Sequence, residues 1–171
     1  MAINCGQITT GYTRSCEAYL ASGIKSFRVA NYDQATTWTT NALGIVTGSS
    51  LTADTFYVVE QRVGVAEFTE EFAFNAQYGS KSVVPSITIT ILGQNQANRN
   101  FANDLLAGVY TVAVELEAGE FILLDKLEAS ASSANPGVSA DDPNIIQITL
   151  SGRGREYASE IDETYLDSIT F

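Results

Sequence analysis

The stretch "EFTEEFAFNAQY", residues 67–78, constrains the fold more than any other part of the chain. Phe68, Glu70, Phe72, Phe74, Ala76 and Tyr78 fall on one parity. Glu67, Thr69, Glu71, Ala73 and Asn75 fall on the other. A period of two marks a half-buried β-strand. With the preceding "TFYVVEQRVGV", the run greatly exceeds the usual strand of about five or six residues. Gly64 reads as a bulge or bend within it. A ribbon that long outruns a small core and reaches towards a neighbouring subunit. Phe68, Glu70, Phe72 and Phe74 are therefore the candidate core or subunit-interface face. Base rates favour core packing, with burial on assembly as the alternative. On the core reading, Phe72→Asp breaks the fold and Glu67→Lys leaves it intact.

Other segments repeat the strand pattern. "IKSFRVA", residues 24–30, is β-branched and aromatic. Simple alternation places Lys25 and Arg28 on opposite faces of it. "NYDQ" is a turn, and "ATTWTT" is extended. "YGSKSVV" reads as a turn or loop, and Pro85 limits pairing at the start of the following strand. "SITITIL" sets Ile87, Ile89 and Ile91 against Ser86, Thr88 and Thr90. Residues 109–126 form a hairpin turning at "EAGE". "IIQITLSGRGREYA" is the last strand, with Ile146, Ile148 and Leu150 inward. Residues 129–144 read as a sixteen-residue polar loop. One helix is expected over about 96–107, capped by Asn95 and ended by Gly108; a short helix from Ser15 to Gly23 competes with a loop. These elements specify a mainly β chain, an antiparallel β-barrel or sandwich with one flanking helix and a long extended hairpin. Residues 1–171 form one domain, with an N-terminal arm (1–22) and an acidic C-terminal tail (157–171).

The formal charge is −11, and no histidine is present. A nucleic-acid gripper needs a basic footprint, which this chain lacks. Without histidine, Ser-His-Asp and Cys-His mechanisms cannot form within one chain, and Cys5 and Cys16 alone cannot complete a tetrahedral zinc site. Both read as reduced thiols. Adjacent Glu70 and Glu71 point to opposite faces of a strand and cannot act as a pair. Asp141 and Asp142 lack the surrounding pattern of a calcium loop. Asp162 and Glu163 read as solvated or paired with Arg153 or Arg155. "SGRGRE" lacks the lysine and spacing of a phosphate loop. The expectation is a non-enzyme with no cofactor and no metal. No apolar run approaches the roughly 20 residues of a spanning helix, and "MAINCGQITTGYTR" lacks signal-peptide character. A cytoplasmic site of synthesis is expected, with no membrane partner.

The order "SGIKSFRVANYDQATTW", "TFYVVEQRVGVAEFTEEFAFNAQYGS", "ITITILGQNQANRNFANDLLAGVYTVAVELEAGEFILLDKLEAS" and "IQITLSGRGREYASEI" resembles structural proteins of tailed bacteriophages. The likeness is to tail-tube subunits of phages from Bacteroidetes-type hosts and covers most of residues 22–162. "FILLDK" departs from that pattern, in which a glycine follows the double leucine, and the serine-rich loop is unusual. The resemblance implies a virion protein that self-assembles edge to edge into stacked rings. Other virion proteins are its partners, and DNA passes through without specific binding. Lys25, Arg28, Arg153 and Arg155 are then candidates for ion pairs between subunits. Alternatives are a head-decoration or head–tail connector protein and, more remotely, a carbohydrate-binding β-sandwich using Trp38 or tyrosines.

Overall fold

The computed structural model describes residues 23–52, 55–62, 64–139 and 142–171. The N-terminal arm, the Ser15 segment, Cys5, Cys16 and Asp141 lie outside them. The strands are β1 (Ile24–Asn31), β2 (Trp38–Thr40), β3 (Val46–Ser49), β4 (Tyr57–Glu60), β5 (Glu67–Asn75), β6 (Ser80–Leu92), β7 (Val109–Leu116), β8 (Phe121–Asn135), β9 (Ile145–Ser151) and β10 (Ser159–Glu160). Two helices accompany them, α1 (Gln96–Ala107) and α2 (Glu163–Ser168). The main sheet is antiparallel and runs β4-β1-β7-β8-β9-β6-β5, with β10 added to β8; β2 and β3 form a separate hairpin. Among the described residues no ladder joins β4 to β5, so the barrel is not closed.

The sheet is apolar on both faces at its centre, and alternation divides its side chains between two cores. Phe27, Val29, Val112, Val114 and Leu124 join Ile87, Ile89, Ile146, Ile148 and Leu150 under Ala102 and Leu105 of α1. Ala30, Ala113, Phe121 and Leu123 face the other way, under Val46, Phe56, Ile161, Leu166 and Ile169. Val59 of β4 and Phe68 of β5 both pack on the first core. The sheet therefore curls until its two ends share one interior. The chain between those ends closes part of the gap: Gln61 Oε1 accepts from the Thr90 amide at 3.0 Å, and Val65 O accepts from the Thr90 hydroxyl at 3.3 Å.

Helix α1 forms where the sequence places it. Asn95 caps it by accepting from the Asn98 amide at 2.8 Å. Gly108 ends it differently from expectation, because its φ is −106°, in the extended region and not the left-handed one. Glycine is needed there because a Cβ would strike the Tyr110 ring.

Several expected boundaries move. The run 55–79 is two strands on opposite ends of the sheet, β4 on β1 and β5 on β6. Gly64, at φ +79°, belongs to the turn between them. Strand β6 begins at Ser80, so "KSVV" is strand and Pro85 sits inside it. Pro85 sits in a gap in the pairing, between the last β9 partner, Ser151 opposite Ser86, and the Val83–Gly154 bridge. Only Gly152 reaches the Pro85 carbonyl, at 3.1 Å, and one ladder bond is forgone. Half of the expected polar loop is the far end of β8, paired with β9 as far as Asn135↔Ile145. The remainder is organised by Asp142, whose carboxylate accepts from the Val138 and Ser139 amides at 2.8 Å each. Those two bonds hold its pKa below the usual value. The C-terminal stretch is built into the second core and is not a loose acidic tail. Ile161, Leu166 and Ile169 are buried, and Asp162 caps α2 by accepting from the Tyr165 amide at 2.9 Å.

Candidate functional site

The β5–β6 hairpin divides the candidate aromatic face in two. Its turn is fixed by Asn75, whose Oδ1 accepts from the Gln77 amide at 3.1 Å, and by Gly79 at φ +64°. Register pairs Phe68 with Ile87, Glu70 with Pro85, Phe72 with Val83 and Phe74 with Lys81. All of these side chains share the core-facing side of the ribbon. The regular β9 ladder supports β6 only from Ser86 onward. Beyond it Val83 and Gly154 exchange two backbone bonds, at 2.9 and 2.8 Å, and among the described residues the ribbon past Val83 has no strand partner on that side. Phe68 is half-buried against the first core. Glu70 is half-buried and accepts from the Ala158 amide at 2.7 Å. Phe72 and Phe74 are 57% and 56% exposed, and Tyr78 at the turn is 76% exposed. Phe72 is therefore not a core residue, although its register partner Val83 is buried.

The four basic candidates separate as well. A β-bulge between Ile24 and Ser26 shifts the register of β1 on β7. Ile24 and Phe27 both join the first core, so Lys25 projects on the side of Ser26 and Arg28. The opposite-face assignment from simple alternation fails for this reason. Lys25 pairs with Glu115 at 2.5 Å, and the Ser26 hydroxyl donates to the same carboxylate at 2.5 Å. Burial pushes the Glu115 pKa up, but those two hydrogen bonds and the Lys25 and Arg28 charges outweigh it, so the carboxyl sits below its usual value. The hydrogen bond to Glu115 raises Lys25.

Arg28 pairs with Asp167 at 2.5 Å, donates to the Thr170 hydroxyl at 3.2 Å and lies 4.8 Å from the Phe121 ring centre. Arg28 thus ties the C-terminal segment to the sheet, and both β1 cations find partners within the chain. Arg153 and Arg155 are exposed and line a cleft of about 400 Å³ with Lys126, Glu70 and Tyr157. Among the described residues neither has a carboxylate within 4.0 Å.

Sequence reasoning missed a second surface. An apolar groove of about 370 Å³ runs between α1 and β1/β4, lined by Val29, Tyr57, Val59, Phe101, Leu105 and Asp104. Tyr57 is exposed and lies 5.9 Å from the Phe171 ring. The i, i+4 pair Phe101 and Leu105 did signal an apolar helix stripe, but that stripe splits: Leu105 is buried and Phe101 stands at the groove. Among the described residues no three His, Cys, Asp or Glu side chains gather as metal ligands. Among them, no helix is long and apolar enough to cross a membrane. Comparison with protein families, curated proteins and solved structures gave no match.

Proposed function

We propose that this chain is a structural subunit that assembles with copies of itself, as a tail-tube protein of a tailed bacteriophage whose stacked rings form a conduit for DNA. One observation carries the reading: the seven-strand path is open, and its β5 end carries a projecting ribbon with Phe72, Phe74 and Tyr78 uncovered. Open strand edges and exposed aromatic faces invite pairing, and closure into a ring removes the edges. The charge of −11 suits a channel wall, because a negative surface repels DNA in transit. In this reading the protein is made in the host cytoplasm, resides in the virion, contacts other virion proteins and performs no catalysis.

A head-decoration or connector protein would share the self-association but not the tube. The carbohydrate-binding reading loses its principal platform, because Trp38 packs against the second core. Electron microscopy of the purified protein at high concentration tests the proposal. Rings or tubes are expected. Particles that stay monomeric across salt and concentration overturn it, and closed shells or isolated plugs favour the other virion roles.

A further inference from the structure

We propose that the exposed face of the β5–β6 hairpin docks into the groove between α1 and β1/β4 of a second copy of this chain, with Lys81 of one copy pairing with Asp104 of the next. The inference rests on the self-assembly reading and names the surfaces that carry it.

The two surfaces match in chemistry. Phe72, Phe74 and Lys81 share one face of the hairpin, since Phe74 stands directly opposite Lys81 in the register. That face presents two aromatic rings and one cation. The groove presents Val59, Phe101 and Leu105 as an apolar floor, with the exposed residue Asp104 in its lining. Its volume of about 370 Å³ is on the scale of a small ligand site, enough to receive aromatic side chains.

Charge makes the match specific. Asp104 lies in the last turn of α1, a turn that holds no basic residue. A helix C-terminus carries partial negative charge, so a carboxylate there is unfavourable and a cation is favoured. Lys81 is exposed, and among the described residues it has no carboxylate within 4.0 Å. Other exposed cations, among them Lys126, Arg153 and Arg155, also lack a carboxylate within 4.0 Å among the described residues; what distinguishes Lys81 is its place beside two uncovered aromatics. Supplied by a neighbour, it would relieve the charge at the end of α1.

Placement makes the contact repeatable. The hairpin lies at the β5 end of the open strand path, and the groove lies beside β4 at the other end. A contact between two different surfaces of identical chains propagates from copy to copy and closes if its rotation allows.

The test is charge exchange at two exposed positions. Lys81→Glu, Asp104→Lys and the double variant are compared with the parent by sedimentation velocity across concentration, with circular dichroism confirming the fold. Each single reversal is expected to raise the concentration needed for assembly by roughly tenfold or more, because like charges then meet. The double variant restores opposite charges and is expected to return close to the parent. A parent that never assembles overturns both this docking and the self-assembly reading. A parent that assembles while both single variants match it, or while the double variant is no better than the singles, overturns the docking alone. Sensitivity to Asp104→Lys without sensitivity to Lys81→Glu also overturns it and assigns the groove to another occupant.

Discussion

Replacing Leu166 with alanine separates a C-terminal segment that is part of the fold from one that is solvated. Leu166 is fully buried among Phe121, Leu123, Ile161 and Ile169. Removing a buried leucine side chain to its Cβ costs about 2–5 kcal/mol, more where the surroundings cannot collapse. Collapse is resisted here because backbone bonds pin the segment on both sides. Asp162 N donates to Val46 O at 2.9 Å, Ile161 N to Phe121 O at 2.9 Å, and Phe171 N to Phe56 O at 2.8 Å. We therefore expect a loss of about 3 kcal/mol, a large part of the roughly 5–15 kcal/mol that holds a domain together. With a urea slope of about 2 kcal/mol per molar, the midpoint falls by roughly 1.5 M. The single tryptophan, Trp38, packs against this cluster and gives the fluorescence signal. Thr164→Ala, exposed in the same helix, is the control and should stay within about 0.5 kcal/mol. A Leu166→Ala midpoint equal to the control would refute the burial of this segment.

Three further outcomes follow from the packing and charges. Phe68→Ala should destabilise by about 1–3 kcal/mol because the ring packs on the first core, whereas Phe72→Ser should leave the monomer's unfolding midpoint unchanged; equal effects in urea melts would contradict the division of the hairpin face. The Glu115 pKa is lowered in the folded chain, so its contribution is complete above the unfolded value of about 4.3 and is lost as pH falls through the folded value. Glu115→Gln should flatten that part of the stability–pH curve below about pH 4.5, and an acid limb identical to the parent's would count against the Lys25–Glu115–Ser26 cluster. Gly108→Ala should cost about 1–3 kcal/mol from collision with the Tyr110 ring alone, since φ −106° suits alanine; thermal melts in which Tyr110→Ala fails to relieve the loss would contradict a steric origin.

Much of the fold was legible because local pattern and tertiary burial agree. The isoleucine alternation at 87–91 and 146–148 is the core alternation, and Asn95 caps the helix it appears to cap. Reading failed where one signal concealed another. Ser132 and Ser133 look like loop residues, yet they pair with β9 as an exposed strand whose backbone bonds do not depend on apolar side chains. The acidic residues of 157–171 concealed the apolar Ile161, Leu166 and Ile169, although Asp162 before helix-compatible residues was a cap signal. Parity misplaced Lys25 because a one-residue bulge reverses every side-chain assignment on one side of it, and no local residue type announced that bulge. Among the aromatic candidates, alternation identified the shared face correctly. It could not show that the regular β9 ladder stops at Ser151, with one further bridge at Val83–Gly154, and that Phe72 and Phe74 are left exposed there.

Hydrogen exchange measured at low and high protein concentration tests self-assembly most directly. Edge amides of β4 and β5 should become protected as concentration rises, while the amides of α2, on the other core, should not change. Identical exchange at β4 and β5 over the whole range, with the protein still monomeric, would contradict assembly through these two ends of the sheet.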